Sequence, residues 1–498
     1  EEEIMPFGSL SLGLGLSRGG GSAPYGVSFN FSLPVSGEAG KYYRLGALAE
    51  YNDALGALPW STEIGQKCRI QSRMRRCVMP DTISDPTNPQ KSVAYYLDPL
   101  DSTKKANGTA ADLTGGDGQV MVEIPKFYQK VVWNEANPDV MEWWISERPM
   151  AGYTVHPAFQ KIIGGVLVEV PFRYIGAYMG VLQDNNGVYQ DYYDVNPEAE
   201  GYPHIRTITT ERQLRYATNP KLASVFNKLP VAQGTRAQFR AAARRRDGNT
   251  DDSTWRLTDW SLWSAVQLLF LVEYATFNSQ TALAGSSDGG LSTLAEGTWV
   301  ASVAGGSGTR MPIVPTGGTE SLGNRSGNVP LTALYGDGQG LPVYTGSANS
   351  FWTDVIPCYR GIEAPFGHIF QWLDGIILDF ATVSRLDAWV SAGAFTDDTP
   401  TADYRKIIEH GGVDNNPNNG YISRIHENAA LDGFYPRAVG ASTLTGLTDY
   451  YYNTGSAGKR VVAVGGISYN YGDAGVFYVY AYYVSNILRT FIGGRLSL

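Results

Sequence analysis

The chain has 498 residues, long enough for two or three domains and a large core. Its 39 basic against 48 acidic residues leave a net charge of −9, which argues against a general nucleic-acid or membrane-surface binder, because both need a basic footprint. With 58 glycines, 31 tyrosines, 11 tryptophans and 17% charged residues, the composition is that of a β-rich protein with many tight turns and an aromatic, weakly charged surface.

Taken in chain order, Met5 to Pro24 alternates small apolar residues with Gly and Ser and cannot bury enough surface to fold alone. Residues 1–45 are therefore expected to be an extended or assembly segment, with strand-like alternation from Tyr25 to Phe31. A basic patch follows at Lys67, Arg69, Arg73, Arg75 and Arg76, read as a solvated face or as a contact for an anionic partner. Cys68 and Cys77 either pair or are buried free thiols; three cysteines in all make no disulfide scaffold. The turn signal Asp117-Gly118 precedes a strand in which Val120, Val122 and Ile124 alternate with Met121 and Glu123 until Pro125 ends it.

Thr235 to Arg246 reads as a helix, with Thr235 as N-cap, an Ala-rich body, an Arg-rich last turn and Gly248 beyond. Its arginines 236, 240, 244, 245 and 246 suit either an anionic glycan or a solvated end pairing with Asp247, Asp251 and Asp252. Trp255 to Phe277 is the clearest helix, capped by Thr258 or Asp259 and almost without a polar face, so it is expected in a core covered on most sides. Gln267 and Glu273 interrupt its apolar run, which is also too short to span a bilayer, so no membrane insertion is expected. The acidic start, Glu1-Glu2-Glu3, is the reverse of a signal peptide's basic region. Gly285 to Gly340 has no periodic pattern and is expected to be a long loop, as is Gly411 to Gly420.

Between those loops lies the most distinctive stretch, Gly361 to Asp374. Pro365 and Gly367 make a turn, Ile369, Phe370, Trp372 and Leu373 a central strand, and Asp374 with Gly375 a polar exit. In the last segment Tyr478, Tyr480 and Tyr482 fall on one strand face and Phe477, Val479, Ala481 and Tyr483 on the other.

The chemistry-bearing residues form no recognisable active site. His156, His204, His368, His410 and His426 are scattered, with no zinc spacing among them, and Asp414 to Asn419 fits no EF-hand loop. Gly15-Leu-Ser-Arg-Gly19 matches a nucleophile elbow by letter but has no helix after it. No pair of carboxylates stands out as a glycan depolymerase would require. No catalytic residue, cofactor or metal ligand is assigned, and the chain is read as no enzyme. What remains is paratope-like chemistry, rigid aromatic area beside adaptable polar groups, at Tyr469, Asn470, Tyr471, Asp473, Tyr478, Tyr480 and Tyr482. A stacked-aromatic core face is the alternative for the same residues.

The Gly361–Asp374 string resembles the Gly-Asn-Val-Trp-Glu-Trp signature of the C-type-lectin-like fold, shared by formylglycine-generating enzymes and the variable proteins of diversity-generating retroelements. His368 stands where that signature has Asn, and Phe370 where it has the first Trp. The segment from Trp263 resembles the helix that packs under the sheet in such folds, and Thr490–Leu498 resembles the Gly-Phe-Arg closing strand, with Gly494 in place of Phe. That strand would pair near the first. Asp117–Tyr128, Gly152–Phe159 and Tyr174–Tyr178 are similar to segments of tail and receptor-binding proteins of phages. The resemblance implies an α+β fold: a C-type-lectin-like ligand-binding domain with long loop insertions over 140–498, preceded by a smaller β-rich domain over 46–139. It implies a tail-fibre or tail-tip protein of the virion, extracellular in action, that attaches to a bacterial surface glycan or protein. Other virion tail proteins would be partners, and a homotrimer is expected. A purely structural tail or collar protein and a surface-glycan hydrolase are the rivals. The formylglycine chemistry is excluded, because it needs paired cysteines after the Trp motif and none lies beyond Cys358. If the C-terminal segment is a diversified region, Tyr450–Asn453, Ser468–Asp473 and Tyr478–Asn486 are where variable positions would gather.

Overall fold

The computed structural model describes residues 23–32, 42–52, 62–134, 136–189, 193–195, 206–208, 214, 217–248, 253–283, 315–330, 355–382, 385–411, 419–427, 430–441, 449–453, 456–489 and 491–498. Most of the expected leader, the stretches 284–314 and 331–354, and the centre of the 411–420 loop lie outside the described residues. The described chain is a β-rich α+β structure built on three principal sheets with a few helices between them.

The first sheet is antiparallel, in the order Tyr42–Gly46, Tyr25–Asn30, Asn137–Ser146, Tyr128–Asn134, Thr154–Val155. The second runs Arg256–Leu257, Leu496–Ser497, Phe172–Gly176, Gln119–Pro125, Arg75–Met79, Tyr95–Tyr96. Its Gln119–Pro125 strand is buried along its whole length, so even Glu123 lies inside. That carboxylate accepts from the hydroxyls of Tyr174 at 2.6 Å and Tyr96 at 2.9 Å and pairs with Arg75, which satisfies a charge that would otherwise be prohibitive there. Strand pairing crosses the expected boundary at 139/140: Asn137–Ser146 spans it, and the C-terminal Leu496–Ser497 enters the sheet that holds Arg75–Met79.

The third sheet has nine strands, ordered Tyr404–Gly411, Arg385–Ser391, Phe370–Thr382, Gly458–Val464, Val479–Tyr480, Tyr450–Tyr452, Asn419–Ile425, Pro436–Ala441, with Ile492–Gly493 joined in parallel to the Phe370 strand. The turn before that strand forms as expected: Gly367 has φ +76° and its N–H donates to the Gly465 carbonyl at 3.0 Å. The polar exit at Asp374 does not. The strand bulges between Leu373 and Leu378, with Gly375 at φ +70°, and continues to Thr382. Asp374 is wholly buried, because Arg240 meets both its carboxylate oxygens, at 2.6 and 2.7 Å.

The Trp260–Tyr274 helix is buried at all 15 positions, capped by the Asp259 carboxylate, which accepts from Leu262 N–H at 2.8 Å. It lies between the first and third sheets, and beyond its end Phe277 packs edge-on against Phe29 at 4.9 Å and Phe477 at 4.8 Å. Gln267 donates to the Val476 carbonyl at 2.9 Å, and Glu273 pairs with Arg360. No helix among the described residues is long and apolar enough to cross a membrane.

The closing strand pairs with Phe172–Gly176 and Arg256–Leu257. Arg495 explains why it belongs there. Fully buried, it donates to the carbonyls of Gly176 (2.9 Å) and Glu363 (2.8 Å) and to the Gln371 side chain (2.9 Å), tying the C-terminus to the signature turn.

Candidate functional site

Of two arginine clusters drawn from the sequence as surface features, Arg76, Arg236, Arg240 and Arg246 lie inside. In the Arg236–Arg244 helix, entered through a reciprocal capping box of Thr235 and Gln238, Arg236 donates to the Ile376 carbonyl at 2.7 Å and Arg240 holds Asp374. Arg246 pairs with Asp81 at 3.0 Å. These guanidiniums are neither a solvated helix end nor an open glycan contact. Of the earlier basic patch, Lys67, Arg69 and Arg73 are exposed, whereas Arg76 is buried and donates to Gly361 O at 2.8 Å and Thr319 Oγ1 at 2.8 Å. A helix pattern shows spacing, not which long side chains will be overlaid by a distant strand.

A buried carboxylate pair does occur, at Glu320 and Glu363. Glu363 accepts from Gly317 N–H (2.8 Å) and Thr319 N–H (2.9 Å), and Glu320 accepts from the Tyr178 hydroxyl at 2.6 Å. Burial first, and then the neighbouring Glu363, push the Glu320 carboxyl up to about 8. Both side chains are buried and engaged in holding the 315–323 turn, so the pair is a clamp rather than a cleft for a sugar. His368, in the position of the signature Asn, is buried, and burial with the Arg495 guanidinium nearby holds its imidazole neutral, down to about 4. Cys68, Cys77 and Cys358 are free and buried. Among the described residues no group of three His, Cys, Asp or Glu side chains is arranged to hold a metal ion.

The tyrosine-rich segment does assemble into a surface element. Tyr480 pairs in parallel with Tyr452 and antiparallel with Ala463, so the alternation of the strand is fixed on both sides. One face carries Phe477, Val479 and Tyr451 into the core, where the Tyr451 and Tyr435 hydroxyls meet at 2.9 Å. The other face carries Tyr450, Tyr452, Tyr478, Tyr480 and Tyr482 in one aromatic layer. Tyr452 and Tyr480 stack at 4.9 Å and 6°, Tyr450 and Tyr478 at 6.0 Å and 25°, and Tyr480 and Tyr478 at 6.4 Å and 15°. Phe370 of the signature strand closes against Tyr480 at 4.7 Å.

The seven expected contact residues divide. Tyr478 is 2% exposed and belongs to the core, while Tyr480 and Tyr482 are half-buried at its edge. Asn470 accepts from Ile467 N–H at 2.8 Å, so its side-chain carbonyl locks a turn. Asp473 is half-buried beside Tyr421, whose hydroxyl donates to it, and burial raises its carboxyl above the usual range. The side chains of Tyr469 and Tyr471 lie outside the described residues. Three aromatics of the layer were not among the seven. Tyr450 and Tyr452 repeat at the spacing of one strand face, a legible signal; Tyr421 is placed only by its register opposite Tyr450, which no local pattern reveals.

No protein-family model matches this chain, and no curated protein matches it.

Proposed function

We propose that the chain is a phage tail receptor-binding protein whose C-type-lectin-like portion attaches the virion to a bacterial surface ligand by non-covalent contact through the tyrosine layer. The observation that carries this reading is the continuity of that layer: half-buried rings from three strands, at Tyr421, Tyr450, Tyr452 and Tyr480, and Tyr482 just beyond the last of them, form one rigid aromatic edge on a fixed frame. Rigid aromatics lose little entropy on binding, which suits a contact made many times over by repeated copies of a tail protein. The turn-strand signature, the helix under the large sheet and the buried closing strand are features a lectin-like frame requires, and they support the same reading. A homotrimer on the virion tail goes with it.

One observation favours a second reading, a structural tail or collar protein: Tyr478 is buried, and the faces of Tyr480 are occupied by Tyr452 and Phe370. Adsorption blocking separates the two. Purified protein at rising concentration should compete phage off host cells, and Tyr482→Ala should weaken that competition at unchanged melting temperature. Absence of competition at every concentration favours the structural reading.

A further inference from the structure

We propose that the corner formed by Asp473, Tyr421 and Tyr450 binds the primary ammonium group of an unacetylated amino sugar. This rests on the attachment reading above and names the chemistry its ligand would carry. Tyr421 and Tyr450 face one another in register on adjacent strands, ring centroids 5.3 Å apart and planes at 84°, so the edge of one ring packs on the face of the other. Tyr478 stacks against Tyr450 and keeps that ring from rotating. At the hydroxyl end of Tyr421, Asp473 closes the Ser468–Asp473 turn and accepts a hydrogen bond from that hydroxyl.

Four other buried carboxylates have a guanidinium, Arg75 for Glu123, Arg173 for Asp259, Arg360 for Glu273 and Arg240 for Asp374, whereas Asp449 and Glu363 are held by hydroxyl and N–H donors. Asp473 forms no ion pair among the described residues, although it is withdrawn from water. A half-buried carboxylate with no ion-pair partner among the described residues attracts a cation by its charge, and the phenol oxygen of Tyr421 beside it adds an acceptor. A primary ammonium also has N–H groups to give to the carboxylate lone pairs left open, which a quaternary ammonium lacks. A sugar fits better than a lysine side chain because of what lies alongside. Tyr450, Tyr478, Tyr480 and Tyr452 stack on one another, so the row offers ring edges and phenol oxygens, partners for a ring of hydroxyls.

The test is calorimetric titration of the full chain with a glucosamine tetramer, its fully N-acetylated counterpart, and Nα-acetyl-lysine methylamide. The glucosamine tetramer should bind at least about tenfold more tightly than either of the others, and Asp473→Asn, which keeps shape and removes charge, should abolish that preference. Equal binding of the two tetramers, no binding of either, or an Asp473→Asn protein that binds as the wild type does would overturn the proposal; a lysine amide that binds as tightly would overturn the sugar. Melting curves of the variant show that it is folded. Cell adsorption keeps the two ideas apart: if wild type and Asp473→Asn block adsorption equally, the ammonium corner fails and attachment stands, whereas wild type that never blocks overturns attachment itself.

Discussion

At the scale of single residues, Asp449 is the clearest departure from the pairing of carboxylate with guanidinium. Wholly buried, it is held among the described residues by donors without a counter-ion: Ser279 Oγ at 2.7 Å, Phe477 N–H at 2.8 Å and, more loosely, Ser279 N–H at 3.4 Å. Burial outweighs these bonds and pushes the carboxyl up to about 7. Because the folded value lies above the unfolded one of about 4, the folded state holds the proton more tightly. The stability linked to this group is therefore complete below about pH 4, declines as pH rises toward 7, and is level above that. Asp449→Asn should flatten that part of the stability curve; if variant and wild type keep the same slope of unfolding free energy between pH 4.5 and 7.5, the carboxyl titrates normally. The tyrosine row invites a second comparison. Tyr478→Ala removes a ring that is 2% exposed and should destabilise by about 3 kcal/mol or more, whereas Tyr482→Ala, at the half-buried edge, should stay within about 1 kcal/mol. Equal losses in denaturant unfolding would mean that the layer is uniformly core.

At the scale of elements, the Trp260–Tyr274 helix joins two roles at its first turn. Asp259 caps the helix through one oxygen and pairs with the buried Arg173 through the other, at 2.6 Å. Asp259→Asn should keep the cap and lose the charge, while Asp259→Ala loses both and adds the roughly 1 kcal/mol of a missing cap. Both variants leave a guanidinium without its counter-ion, so each should lose about 3 kcal/mol or more, with Ala the worse. Variants within 0.5 kcal/mol of wild type, by order of magnitude, would mean the pair contributes nothing. This helix was legible because every turn of its sequence is apolar and its cap is of the right type, and the signature strand because a glycine turn precedes its aromatics. The reach of that strand was not, since a bulge at Leu373–Leu378 lets it continue past a charged residue that in sequence looks like an exit. The arginines of the Arg236–Arg244 helix failed for a related reason: their partners, Asp374 and the Ile376 carbonyl, lie more than a hundred residues away, and no local spacing carries that contact. For the candidate site, the alternation of Tyr478, Tyr480 and Tyr482 was readable, but which of them the adjoining strand and Phe370 would cover was not.

At the scale of the whole molecule, the sheets are tied across the chain's length rather than along it. Arg495 reaches from the last strand to Gly176 and Ala177 on one side and to Glu363, Ala364 and Gln371 on the other, so one side chain links the second sheet to the entry of the third. The Trp260–Tyr274 helix likewise fills the space between the first sheet and the third, in a core that includes Phe29, Trp143, Leu271 and Val464 together. Neither sheet could lose its neighbour without exposing that helix and orphaning buried backbone carbonyls, each a loss of about 1–3 kcal/mol. We therefore expect the described sheets to unfold as one cooperative unit despite the size of the chain, with no separate transition for residues 46–139. Tryptophan fluorescence, which samples Trp143 in the first sheet and Trp372 in the third, and far-ultraviolet circular dichroism should give superimposable curves in denaturant. Arg495→Met should move the single midpoint to lower denaturant without splitting it, because the carbonyls it serves belong to both sides. Two resolved transitions in the wild-type protein would show instead that the boundary near residue 139 divides independently stable domains.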